Sequence, residues 1–134
     1  MHCRTLVTRK RFLGLSLCIV LSSVIGCSSA PSVSSSDPNK AKEVAKTILD
    51  AWKNGETMES LKQKTPPMFA VIDLWKDGCS LTSYEFVGDG EMVGPNVRFQ
   101  VRFICQDKAG KKVDKTIKYL VTTTPAITFI KEDG

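Results

Sequence analysis

Cysteine can act as a nucleophile, a metal ligand, a disulfide partner or an acyl acceptor, and this chain carries five of them: Cys3, Cys18, Cys27, Cys79 and Cys105. Which roles are open depends on the company the thiols keep. The only histidine is His2, at the extreme N-terminus. If that end is removed, no imidazole remains to activate a serine or cysteine nucleophile or to join a metal site. Cys79 and Cys105 alone are too few for a thiolate zinc site, and no ligand spacing adds acidic partners to them. No GxGxxG or GxxxxGK[ST] cradle is present; Gly88-Asp89-Gly90 falls short of both and reads as a hairpin loop. Neither a metal nor a cofactor is implied, which leaves cross-linking and acylation as the thiol chemistry to weigh.

The net charge of +5 suggests an anionic partner until its location is considered. Arg4, Arg9, Lys10 and Arg11 precede an apolar run, and no Asp or Glu occurs before Asp37. Four of the 19 basic residues therefore belong to the N-terminus, leaving 15 basic and 14 acidic residues from Cys27 onward. A nearly neutral domain without a basic stripe offers no electrostatic footprint for nucleic acid. The 134 residues leave room for one folded domain.

Residues 1–26 follow the plan of an export signal: a basic start, the apolar run Phe12 to Gly26, and small residues near its end. At 15 residues, with three serines and two glycines, the run is shorter than the roughly 20 apolar residues a spanning helix needs. Its last step, Val24-Ile25-Gly26-Cys27, resembles the lipobox of bacterial lipoproteins, with Val24 and Ile25 in place of the more usual Leu and Ala or Ser. The resemblance implies diacylglyceryl transfer to the Cys27 thiol, cleavage before it, and acylation of its new amino group. Three chains would hold the protein on a membrane, since one chain binds only marginally. Ser28, where an inner-membrane lipoprotein would carry Asp, implies the outer membrane of a bacterial cell envelope.

Residues 27–37 then read as a lipidated cysteine and a serine-rich tether, whose ten residues after Cys27 reach roughly 17 Å in the root mean square. The folded domain spans 38–134. Asp37-Pro38 is a helix start, and Ala41, Val44, Ala45, Ile48, Leu49 and Trp52 recur at helical spacing before Asn54-Gly55 stops the run. Thr57 caps a short second helix over about 58–64, ended by Pro66-Pro67. Phe69 to Trp75 fits a strand or a helical turn and is read as extended. Alternation then marks strands over Leu81–Val87, Val97–Gln106, Val113–Val121 and Ala126–Lys131, with a Gly/Asp-rich connection over Gly88–Pro95. The expected fold is α+β: an N-terminal helix and a short second one packed on an antiparallel meander of about four strands.

Over roughly residues 38–132 this order resembles the small cystatin-like or nuclear-transport-factor-2-like domains of bacterial lipoproteins. The matching pieces are Ala51-Trp52-Lys53-Asn54-Gly55, Asp73-Leu74-Trp75-Lys76-Asp77-Gly78, and the ending Thr116–Val121 followed by Thr124-Pro125-Ala126-Ile127-Thr128-Phe129-Ile130. Such folds host isomerases, dehydratases, inhibitors and scaffolds, so the fold alone implies no activity. By resemblance to the enzymatic members, a catalytic site would draw on Asp73, Tyr84, Glu85 and Tyr119. The core-facing row Val97, Phe99, Val101 and Phe103 offers no proton relay, so the expectation is a non-catalytic binding or structural domain. Its expected partners are membrane lipid and an envelope protein. The alternative is an envelope enzyme of the isomerase or dehydratase kind.

In an oxidising compartment Cys79 and Cys105 are an even pair, which favours a disulfide over two buried free thiols. A register with Val87 opposite Val97 puts Cys79 opposite Cys105, but it also puts Leu81, Ser83, Glu85 and Val87 on the core face and turns Tyr84 and Phe86 away. A bulge near Gly78, or a Cys79 outside the regular strand, resolves the conflict.

Overall fold

The computed structural model describes residues 34–134, so the stretch read as an export signal and Cys27 lie outside the described residues. Helix α1 spans Pro38–Lys53 and starts as its sequence predicts: the Asp37 side chain accepts from the Asn39 and Lys40 N–H groups at 2.8 and 3.1 Å. Its apolar stripe, from Ala41 to Trp52, is the buried face. A second helix, α2 (Met58–Lys62), is capped by Thr57 as expected. After it come β1 (Met68–Val71), the single turn α3 (Asp73–Lys76), β2 (Ser80–Val93), β3 (Asn96–Gln106), β4 (Lys112–Thr122) and β5 (Ile127–Lys131).

The sheet has five strands in the order β1-β5-β4-β3-β2, and it is mixed. β2 to β5 form the expected antiparallel meander, but β1 adds a fifth strand, parallel to β5, with Met68 opposite Ile127 and Val71 opposite Ile130. The stretch read as extended from Phe69 to Trp75 is in fact divided. Phe69 to Val71 are strand, and Asp73 to Lys76 wind into α3. Parallel pairing needs a long crossover between its strands. Here α3 and the strands β2 to β4 lie between β1 and β5 in sequence, so nothing local announces the pairing.

One face of the sheet lies against α1. Val97, Phe99, Val101, Phe103 and Cys105 from β3, Tyr119 and Val121 from β4, and Phe129 from β5 are all buried with the helix stripe. A fully buried aromatic or branched side chain of this kind contributes about 1.5–3 kcal/mol. The rings make a continuous run through the core: Trp75 stacks on Trp52 (5.7 Å between centroids), Trp52 meets Phe103 (5.6 Å), Phe103 meets Tyr119 edge-on (5.7 Å), and Tyr119 stacks on Phe129 (4.5 Å).

β2 departs most from its expected form. Leu81 faces Cys105, yet Ser83 faces Ile104, so Thr82 is an extra residue that shifts the pairing by one. The parity therefore flips between Leu81 and Tyr84, and both can point to the core side. Val87 faces Gln100, not Val97, and Ser83, Glu85 and Val87 lie on the outer side. The expected loop at Gly88–Pro95 is not a loop either. β2 runs through it with a second irregularity between Val87 and Glu91, and only Gly94-Pro95 turns the chain. Gly90 has φ +91°, and a Cβ there would lie 2.6 Å from Phe99 Cε1.

The last serine of the serine run is part of the packed unit. Ser36 is buried; its N–H donates to the Pro95 carbonyl at 2.8 Å, and its hydroxyl oxygen accepts from the Thr123 N–H at 2.9 Å.

The two bulge glycines separate backbone cost from steric cost. Gly88→Ala meets open space at φ +82° and is expected to lose about 1–2 kcal/mol in equilibrium urea unfolding. Gly90→Ala carries the same backbone cost and also drives a methyl group into Phe99, an overpacking effect of about 1–3 kcal/mol more. Equal losses for the two variants would contradict this packing.

Candidate functional site

Three places hold the chemistry-bearing side chains. The first is the thiol pair. α3 ends in a turn in which the Gly78 N–H donates to the Trp75 carbonyl (3.0 Å) and the Cys79 N–H donates to the Leu74 carbonyl (2.9 Å), closing the helix through a left-handed Gly78. That turn delivers Cys79 one residue before β2 begins, so Cys79 does lie outside the regular strand. The expected pairing of Cys79 with Cys105 in the ladder is replaced by Leu81 with Cys105. The thiols are nonetheless neighbours. Burial first, then the charge and hydrogen bond of Cys79, push the Cys105 thiol from 9.0 up to about 11. Both cysteines are free and buried. The Trp52 Nε1–H donates to the Cys79 carbonyl at 2.8 Å in the same buried corner.

The second place is the outer end of Tyr84. Its hydroxyl donates to Asp50 Oδ1 at 2.7 Å, joining β2 to α1. Burial, that hydrogen bond and the carboxylate's charge raise the phenol from 10.0 to about 12. Nothing in the sequence marks Asp50, which lies next to the buried Ala51 in the helix pattern and belongs to no motif. Glu85, the next residue after Tyr84, points to the other side of the sheet and lies opposite Arg102. Arg102 in turn forks onto Asp114 with contacts of 3.0 and 2.7 Å.

The third place joins Asp73 and Tyr119. Asp73 sits in the first turn of α3, exposed, 3.6 Å from Lys131 Nζ. Tyr119 is fully buried, stacked on Phe129, and its phenol is held well above the ordinary range by burial, with a smaller push from the Asp73 carboxylate. Of the four site candidates the fold thus brings Asp73 near Tyr119 and separates Tyr84 from Glu85. It does not gather them into one chamber.

The concavities are open clefts. One of about 460 Å³ lies at the thiol corner, between Trp52, Trp75, Gly78 and Cys79. Another of about 500 Å³ runs beside β1, between Met58 of α2, Val71 and Trp75. A third, about 270 Å³, flanks the Gly88–Glu91 bulge, and a fourth, about 360 Å³, lies between Pro66, Pro67, Phe69 and Pro125. Neither Asp73 nor Glu85 lines any of these four. On the sheet face turned from α1, Val71 lies opposite Ile130 with Phe69 two residues back along the strand; all three are exposed.

Both tyrosines of the chain have raised phenol pKa values in the folded state, so folding is penalised when they ionise. A raised folded pKa contributes stability that is intact below the unfolded value near 10.0 and is lost as pH rises toward about 12 for Tyr84. Thermal unfolding followed across that window is expected to show a falling midpoint. Tyr84→Phe should flatten the fall while leaving the share that belongs to Tyr119, and an unchanged slope would refute the assignment to Tyr84.

Comparisons with protein families, with curated proteins and with solved structures found no match to this chain.

Proposed function

We propose that the chain is a bacterial cell-envelope lipoprotein, anchored through acylated Cys27, whose folded domain is a non-catalytic binding or structural module of the cystatin-like or nuclear-transport-factor-2-like kind. Val24-Ile25-Gly26-Cys27 at the end of a basic-then-apolar leader carries the address. Ser28 favours the outer membrane over the inner one. The filled interior carries the reading of the domain. The space between α1 and the sheet, where enzymatic members of such folds would hold substrate, is occupied by Trp52, Phe99, Phe103, Tyr119 and Phe129, all at most 2% exposed.

A carboxylate base also needs a reachable partner. Asp73 is spent on Lys131 at the surface, and Glu85 faces away from Tyr84. The features offered to a partner are instead the exposed Phe69, Val71 and Ile130 on the outer sheet face. Apolar side chains grouped on a sheet face, bordered by charged side chains such as Arg98 and Glu132, suit a protein surface. In the oxidising envelope the neighbouring Cys79 and Cys105 thiols form a disulfide, two thiols exchanging with a protein disulfide donor to leave one bridge and two donor thiols.

Radiolabelled palmitate supplied to producing cells is expected to enter the wild-type protein and not Cys27→Ala, which should also leave the membrane fraction. Equal labelling of the two removes the lipoprotein reading. Alkylation of the unfolded, unreduced envelope protein, followed by mass measurement, is expected to leave Cys79 and Cys105 unmodified. The same chain retained in the reducing cytoplasm should be alkylated at both. Full modification of the envelope form would show free thiols instead.

A further inference from the structure

The two ends of the domain differ in chemistry, and the chain enters at one of them. Ser36 is fastened to Pro95 of the β2–β3 turn and to Thr123 just past β4. Thr65–Pro67, before β1, comes to the same end, since Pro66 and Pro67 share a cleft with Thr123 and Pro125. The three turns here, Thr65–Pro67, Gly94–Pro95 and Thr123–Ala126, contain no charged residue. Met92, beside the β2–β3 turn, is 44% exposed; Lys40 lies on the cleft as a cation, and Asp37, next to Ser36, is an exposed carboxylate at the same end. At the far end the turns Asn54–Thr57, Asp77–Cys79 and Asp107–Lys111 each carry charge. β3 runs between the two ends, and its 11 residues span about 33 Å.

We infer that the proline-rich end, with its uncharged turns, is the membrane face of the domain, resting on the headgroup region of a phospholipid bilayer. The inference rests on the Cys27 anchor proposed above and adds to it an orientation that the anchor alone does not impose. Nine chain steps separate Cys27 from Ser36, which even fully extended reach about 30 Å. Because Ser36 is buried and bonded on both sides, the tether cannot peel away from this end without breaking its two hydrogen bonds. The uncharged turns lose little hydration against headgroups, and Lys40 meets lipid phosphate while the Asp37 carboxylate stays tied to the first N–H groups of α1. The charged turns at the other end stay in water. Val71 and Ile130 then face sideways above the bilayer, open to a partner.

The test uses the full acylated chain in vesicles of phosphatidylethanolamine and phosphatidylglycerol, spin-labelled at Met92→Cys, Ala126→Cys or Lys111→Cys. All three positions are exposed, whereas the native Cys79 and Cys105 are buried. Labels at 92 and 126 are expected to relax faster with lipid-dissolved oxygen than with an aqueous nickel chelate by about threefold or more, as for groups seated 5–10 Å into the interface. The label at 111 should show the reverse. Equal accessibility at both ends of acylated, vesicle-bound protein overturns the inference and leaves the anchor standing. A chain that carries no acyl group and stays in the supernatant overturns both.

Discussion

The hydrogen bond from the Trp52 indole to the Cys79 carbonyl is the contact on which the rest of the structure depends. It is buried and reaches across 27 residues of chain. An indole N–H enclosed without a partner costs about 1–3 kcal/mol, so its position is strongly specified. Satisfying it fixes the last turn of α1 against the turn that ends α3, which in turn sets where β2 begins. The stack of Trp75 on Trp52 seals the same corner. From there the ring of Phe103 carries the packing into β3, and Tyr119 and Phe129 carry it into β4 and β5.

The start of β2 has consequences for its whole length. With Cys79 held outside the ladder, Leu81 takes the position opposite Cys105. The extra residue Thr82 then puts Tyr84 and Phe86 on the side of α1. There Tyr84 reaches Asp50, and Phe86 meets Phe99 edge-on at 5.5 Å with Lys42 Nζ 5.8 Å from its ring. The second irregularity, at Gly88–Gly90, lets β2 pass close over the Phe99 ring before it pairs again at Glu91. Both irregularities serve one end: a long edge strand that stays on the core despite a sequence that does not alternate cleanly.

The outer side of the sheet follows different rules. Arg98 binds Glu132 with a two-pronged contact and Glu91 at 3.0 Å, and Arg102 forks onto Asp114. The arginines hold the Glu132 and Asp114 carboxyls below their ordinary range. Solvated pairs of this kind are screened by water and contribute little, so the face is not what holds the fold. Among the described residues no helix covers it, and its apolar portion lies toward β1 and β5. The interior, filled by aromatic rings, and the exposed outer face are both consequences of one helix covering one side of one sheet among the described residues.

Much of the architecture is local in origin and was legible without coordinates. The Asp37-Pro38 start, the Asn54-Gly55 stop, the Thr57 cap and the alternation in β3, β4 and β5 each depend on residues within a turn or two of one another. Backbone geometry converts those spacings directly into a buried face. The proposed leader and its cysteine are likewise read from a linear pattern, one that lies outside the described residues. Tertiary structure alone decided the parallel seat of β1 on β5, the one-residue slip at Thr82, the Tyr84–Asp50 bond and the fastening of Ser36. It also decided that Asp73 and Tyr119 come near each other while Glu85 turns away. Each of these joins residues far apart in the chain, and their energies depend on which surfaces meet after collapse. A serine in a serine run, or an aspartate on a helix, carries no mark of the partner it will find.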